Sequence, residues 1–163
     1  MSDDVSAPAS LKPPEGYELL DWNRGFGRQI GPLYRKAWDD GRRTMAFSVQ
    51  EHHANGMMNA HGGMLMTLAD MAWGHVISVE KSSYWVTVRL TCDFLSGARM
   101  GDWVEAGSEV LSEEDGVYTV RGRVWVGDRT LMTGMGMFKT VAPRETAPGE
   151  KAWASRQTQG AAA

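Results

Sequence analysis

From Gly62 to about Val79 the chain carries Met64, Leu65, Met66, Leu68, Ala69, Met71, Ala72, Val76 and Ile77, which point in nearly every direction around a helical wheel. A helix that is apolar nearly all round belongs in the middle of a fold, so this segment is predicted to be a central helix around which the rest is built. Upstream, Leu33–Trp38 and Arg43–Gln50 flank the turn signal Asp39-Asp40-Gly41 and read as two short strands. Downstream come four strand-like runs, Tyr84–Leu95, Trp103–Leu111, Val117–Val126 and Thr130–Val141. They are separated by Ser96-Gly97, Glu113-Glu114-Asp115-Gly116 and Gly127-Asp128. Connections this short predict an antiparallel meander. Helix-period and strand-period regions are segregated, which gives an α+β class with one long buried helix against one antiparallel sheet.

A chain of 163 residues holds one such core and not two. Residues 1–16, rich in Ser, Pro, Ala and Asp, read as a flexible N-terminal tail; residues 17–142 form the folded domain; residues 143–163 read as a flexible C-terminal tail. Trp153 is the one large aromatic in that last segment with reason to dock on the body. A formal charge of -3 supplies no basic field for binding nucleic acid. The single cysteine, Cys92, excludes an internal disulfide, and no apolar run is long enough to span a bilayer. The acidic start, without a basic and then apolar leader, points to the cytoplasm. Trp85, Trp103 and Trp125 fall in strands and are expected to pack the helix or a subunit interface. Met57, Met58, Met64, Met66 and Met71 are read first as core filling, with an adaptable acyl pocket as the alternative.

The chemistry concentrates in Glu51-His52-His53-Ala54-Asn55-Gly56-Met57-Met58-Asn59-Ala60-His61-Gly62-Gly63, which runs directly into the central helix. A helix start presents unpaired N–H groups and partial positive charge, so Gly62 and Gly63 would let a carbonyl oxygen approach and be stabilised as an oxyanion; a tight turn is the plainer use of the same glycines. Asp70 is the only acidic or basic residue between Gly63 and Val79 apart from His75. Set among Leu68, Ala69, Met71 and Ala72 it is expected to be buried, where a carboxylate is costly unless paired or kept as a general base or nucleophile. Thr67, one turn earlier, is the candidate structural partner. The four histidines lack the spacing of a zinc enzyme, so no metal is expected, and no Gly-x-Ser-x-Gly elbow marks a serine hydrolase.

Asn55, then His61-Gly62-Gly63 six residues on, then Leu68-Ala69-Asp70 resembles the pattern of hotdog-fold acyl-CoA thioesterases of the phenylacetate-pathway (PaaI-like) type, over roughly Gly31 to Val141. Phe94-Leu95 and Gly101-Asp102 resemble that family's strand end and turn. The resemblance implies a hotdog fold, a long central helix wrapped by an antiparallel sheet, and hydrolysis of an acyl-CoA. On that likeness Asp70 activates water or acts as nucleophile, and the Gly62 N–H polarises the thioester carbonyl. Asn55 holds water or substrate, His61 orients the thioester and Thr87 positions water. It also implies no cofactor, CoA being part of the substrate, and a homodimer or a homotetramer built of dimers, with each site shared between two chains. Relatives carry glycine where this chain has Met58, with Asn59 beside it. Arg89, Arg99, Arg121, Arg123 and Lys139 are the cations available by position for the CoA phosphates. Two other readings stand beside hydrolysis: a hotdog hydratase or dehydratase pairing His61 with Asp70, and a non-catalytic acyl-CoA sensor.

Overall fold

The computed structural model describes residues 12–21, 25–81 and 83–143. The tail assignments for residues 1–11 and 144–163, Trp153 included, lie outside the described residues. Its elements are β1 (Glu18–Leu19), α1 (Gly25–Gln29), β2 (Tyr34–Ala37), β3 (Arg43–Ser48), a 3-10 turn at Glu51–His53, and α2 (Gly62–Lys81). Four long strands follow: β4 (Ser83–Phe94), β5 (Trp103–Glu114), β6 (Val117–Val126) and β7 (Arg129–Pro143). All seven strands form one antiparallel sheet in the order β1-β2-β3-β5-β6-β7-β4, wrapped around α2. This is the expected α+β hotdog layout. Among the described residues no helix is long and apolar enough to cross a membrane.

The meander is real only from β5 to β7. Asp115 and Gly116 take left-handed backbone angles, φ 51° and 76°, as a tight hairpin between strands of right-handed twist requires. β4 does not pair with β5, contrary to the reading of Ser96-Gly97 as a hairpin turn; it pairs with β7 at the far edge of the sheet. The segment after β4 must therefore cross three strand spacings, about 14 Å, and seven residues from Ser96 to Asp102 reach that easily. Leu95 and Ser96 both donate backbone N–H groups to the Leu131 carbonyl, at 2.8 and 3.1 Å. The Arg129 guanidinium holds Ser96 Oγ, the Gly97 carbonyl and the Asp102 carboxylate. These bonds carry the connector past the end of the β6–β7 hairpin, so β5 can dock beside β3.

Helix α2 buries one side. Leu65, Leu68, Ala69, Ala72, Trp73 and Ile77 lie against the sheet within the main core, at the spacing of a single helical face. The Trp73 indole fits because Gly122 and Gly134 sit opposite each other in β6 and β7. A Cβ on Gly122 would fall 2.0 Å from Trp73 Cε2. The other side of α2 is open: Met66 is exposed, and Thr67, Asp70, Met71, His75 and Ser78 are half-buried. The expectation of a helix buried all round is thus corrected, because a sheet ending in two edge strands, β1 and β4, covers one side of a cylinder and leaves a slot along the other. Core filling by the methionine cluster is corrected with it. Met64 is buried and Met71 half-buried, while Met57, Met58 and Met66 reach solvent. Trp85 packs on α2, whereas Trp103 and Trp125 lie half-buried, Trp103 meeting Tyr17 edge-on and Tyr34 at a tilt.

Candidate active site

The loop entering α2 is anchored by two histidines. His53 is buried under Phe47; its Nδ1 accepts the Gln50 N–H at 3.0 Å, which leaves Nε2–H to donate to the Ile30 carbonyl at 2.8 Å. His52 Nε2 bonds the neighbouring Gly31 carbonyl at 2.9 Å. Burial, and then the adjacent His52, push the His53 pKa below its ordinary value, in keeping with a neutral ring that accepts on one nitrogen and donates on the other. Sequence reasoning had given neither residue a role. The only signal was a His-His pair directly before the polar loop.

Asn55 then folds the loop on itself. Its Oδ1 accepts the Met57 and Asn59 N–H groups at 2.9 and 3.3 Å, and its own N–H donates to the Asn59 carbonyl. The side-chain oxygen is therefore committed to the turn, and only the amide NH2 remains for a ligand. Met58 adopts φ 59°. A left-handed angle on this methionine costs about 1–2 kcal/mol relative to glycine. Met58 is 57% exposed.

His61 caps α2. Its Nδ1 accepts the Gly63 N–H at 2.9 Å, and its carbonyl takes the Met64 and Leu65 N–H groups. Of the first-turn donors, the Gly62 N–H alone has no acceptor among the described residues. The ring of Phe94, at the end of β4, packs beside it.

Two turns further on, Asp70 is half-buried, so the prediction of a fully buried carboxylate is not met; it faces the slot between the sheet edges. Its partner is Thr87, whose Oγ1–H donates to Asp70 Oδ1 at 2.5 Å. Thr67 instead donates to the Gly63 carbonyl. Strand β4 breaks register between Thr87 and Arg89, a bulge of the kind that re-aims a side chain. Asp70 opens into a cleft of about 370 Å³ bounded by Met71, His75 and Ser78 of α2 and by Tyr84 and Trp85 of β4, with Met45 of β3 across from them. The structure thus joins Asp70 with Thr87, and separately sets Asn55, His61 and Gly62 along the loop and first turn that lead into α2. It does not bring the two groups together. Eight residues of helix put Gly62 and Asp70 about 12 Å apart along the axis, and His61 is further away still, so the His61–Asp70 pair needed by a hydratase does not exist within one chain.

The Thioesterase superfamily profile matches residues 57–133. A Pseudomonas aeruginosa protein assigned as an esterase, PA0474, is 32% identical over 127 residues, covering 77% of this chain and 95% of its own length. The chain belongs to the thioesterase superfamily. By that membership it is a thioester hydrolase. Human acyl-coenzyme A thioesterase 13 is 25% identical to this thioesterase over 91 residues, 55% of the chain and 65% of the human protein. The Escherichia coli PaaI protein of the phenylacetic acid degradation operon superposes with a TM-score of 0.65 at 21% identity, over 74% of this chain and 87% of its own. The Bacillus halodurans protein BH2602, solved with CoA, superposes with a TM-score of 0.61 at 23% identity, over 68% and 74%. These likenesses place the thioesterase in the hotdog fold. Its residue pairs Thr87–Asp70 and His61–Gly63 come from this structure itself.

Proposed function

We propose that this chain hydrolyses the thioester of an acyl- or aryl-CoA to a free acid and CoA, with Asp70 activating water or itself attacking the carbonyl carbon. The observation that carries the reading is the Thr87–Asp70 hydrogen bond. It fixes one carboxylate oxygen, and no second hydrogen bond to the carboxylate occurs among the described residues, so the other oxygen is open to the cleft. That suits a group which must take a proton from water or meet a carbonyl carbon. The unpaired Gly62 N–H, at the positive end of α2, suits the oxygen of a tetrahedral intermediate. Asn55 would offer its NH2 to the thioester, and His61, held as the helix cap, would orient it. The proposed chemistry uses no cofactor, since CoA enters as part of the substrate.

An oxyanion donor and a nucleophile must both lie within about 3 Å of the reacting carbonyl group, and one chain holds them about 12 Å apart. The reading therefore requires Gly62 of one copy to face Asp70 of another. Strand β4 supports such an assembly. It is a 12-residue sheet edge exposing Val86 and Val88, and a long apolar edge is a template for strand pairing with a second chain. A homodimer is the minimum unit, and pairing of dimers into a tetramer is compatible with it. CoA-ester chemistry and a lone cysteine fit the reducing cytoplasm expected from the sequence.

The test is release of CoA thiol from phenylacetyl-, hydroxybenzoyl-, hexanoyl- and dodecanoyl-CoA by the intact protein and by Asp70→Ala, with the fold of the variant checked by circular dichroism. Turnover that collapses in the variant supports the reading. Acyl-CoA binding without turnover by the intact protein would replace it with a sensor.

A further inference from the structure

Asp70, Gly74 and Ser78 are spaced by four and form one stripe along α2, and β4 is laced to that stripe. Thr87 engages Asp70. Trp85, two residues back on the same face of the strand and about 7 Å away, engages the other two. The benzo ring of Trp85 lies directly on Gly74, where a Cβ would come within 2.5 Å of Cη2 and 2.6 Å of Cζ2 and Cζ3. At the other end of the indole, Nε1–H donates to Ser78 Oγ at 2.8 Å, and Phe138 packs edge-on at 5.1 Å. The ring is thus held from three sides and stands against α2 one helical turn beyond the Asp70 carboxylate, in a cleft that also takes in His75, Ser78 and Tyr84.

Resting on the acyl-CoA reading above, we infer that Trp85 is the stopper that limits acyl size, so that this enzyme takes compact acyl groups and rejects long-chain ones. The space left beside Asp70 is bounded by Trp85 and by the thioethers of Met45 and Met71. The cleft measures about 370 Å³ and is open on its outer side in one chain. That accommodates a ring with a short linker or a chain of similar bulk. A long fatty chain that followed the groove inward along α2 would meet the indole.

The experiment compares kcat/KM for phenylacetyl-, hexanoyl-, dodecanoyl- and hexadecanoyl-CoA in the intact protein, Trp85→Leu, Trp85→Phe and Ser78→Ala. The intact protein is expected to favour phenylacetyl or hexanoyl over dodecanoyl by about tenfold or more, the scale on which apolar pockets discriminate. Trp85→Leu should raise the dodecanoyl-to-hexanoyl ratio by about tenfold, and Ser78→Ala, which unpins the ring, should raise it by less. Trp85→Phe, which keeps a ring but lacks the N–H, should fall between the intact protein and Trp85→Leu. A purely structural Trp85 would instead lower every substrate together and leave the ratio unchanged. Turnover by the intact protein with unchanged ratios in the variants overturns the stopper and leaves the thioesterase reading standing; equal rates on hexanoyl- and dodecanoyl-CoA in the intact protein do the same. Absence of turnover on all four esters overturns both. If Trp85→Leu fails to fold, the ratios in Ser78→Ala and Trp85→Phe decide.

Discussion

The two sides of helix α2 are built on opposite terms. On the sheet side, Leu68, Trp73 and Ile77 are wholly buried and Trp73 fills a gap left by two facing glycines, so the packing tolerates no added atom. On the slot side, Asp70, Met71, His75 and Ser78 are half-buried around open space, and one edge strand supplies hydrogen bonds to Asp70 and Ser78 and lays the Trp85 ring on Gly74. A single helix separates folding from chemistry by rotation about its axis. A carboxylate can sit within a strongly apolar segment because its own side is never sealed by this chain.

The sharpest way to break that comparison is to add volume on the sealed side. Gly122→Val would drive two methyl groups into the Trp73 indole and is expected to cost about 3 kcal/mol or more of stability, measured by urea denaturation; a loss under about 1 kcal/mol would mean the sheet side is looser than described. On the slot side the signs reverse. Asp70→Asn should lower kcat by about 10²- to 10⁴-fold, while stability stays within about 0.5 kcal/mol of the parent or rises; a large loss of stability would make Asp70 a structural group. Thr87→Val removes the hydroxyl that holds Asp70 and should lower kcat by roughly tenfold, with Thr87→Ser restoring most of it. An unaffected Thr87→Val variant would reduce that bond to decoration.

Smaller effects test the loop that feeds the helix. Met58→Gly relieves the left-handed backbone at that position, and about 1 kcal/mol of stability should be gained; no gain would place the strain elsewhere. His53 makes the loop sensitive to acid. Its folded pKa is depressed by burial, so in mildly acidic solution the unfolded chain binds the proton that the folded chain refuses. Stability should therefore be fully present above about pH 6.5, the ordinary histidine value, and decline as pH falls below it. Replacing His53 with Gln should flatten that part of the profile, and an unchanged slope would assign it to other groups.

The one-dimensional pattern was sufficient for the elements that obey a local period. Helix α2, the strand pair β2–β3 and the β5–β7 meander all follow from apolar spacing and turn chemistry, and the Asn55, His61-Gly62 and Asp70 constellation was legible as a resemblance carried by residue order. Placement across the sheet was not. Ser96-Gly97 looks like a hairpin turn in one dimension, yet β4 pairs with β7 at the far edge, and the connector that follows is fastened by Arg129, 33 residues from Ser96. Wheel geometry likewise reports how apolar each direction of α2 is, but not which direction the sheet will cover, so the half-open Asp70 had to come from the tertiary structure.

By itself, then, the sequence determined an α+β chain with one apolar helix and a polar loop leading into it, because those properties depend on neighbours a few residues apart. Only the tertiary structure decided that Thr87 meets Asp70, that His61 serves as the cap and that Trp85 stands over Gly74 and Ser78. The first and last of these join a strand to a helix across long stretches of chain, and the cap depends on which way a histidine ring turns; such contacts are selected by shape and hydrogen-bond complementarity, which residue order does not display.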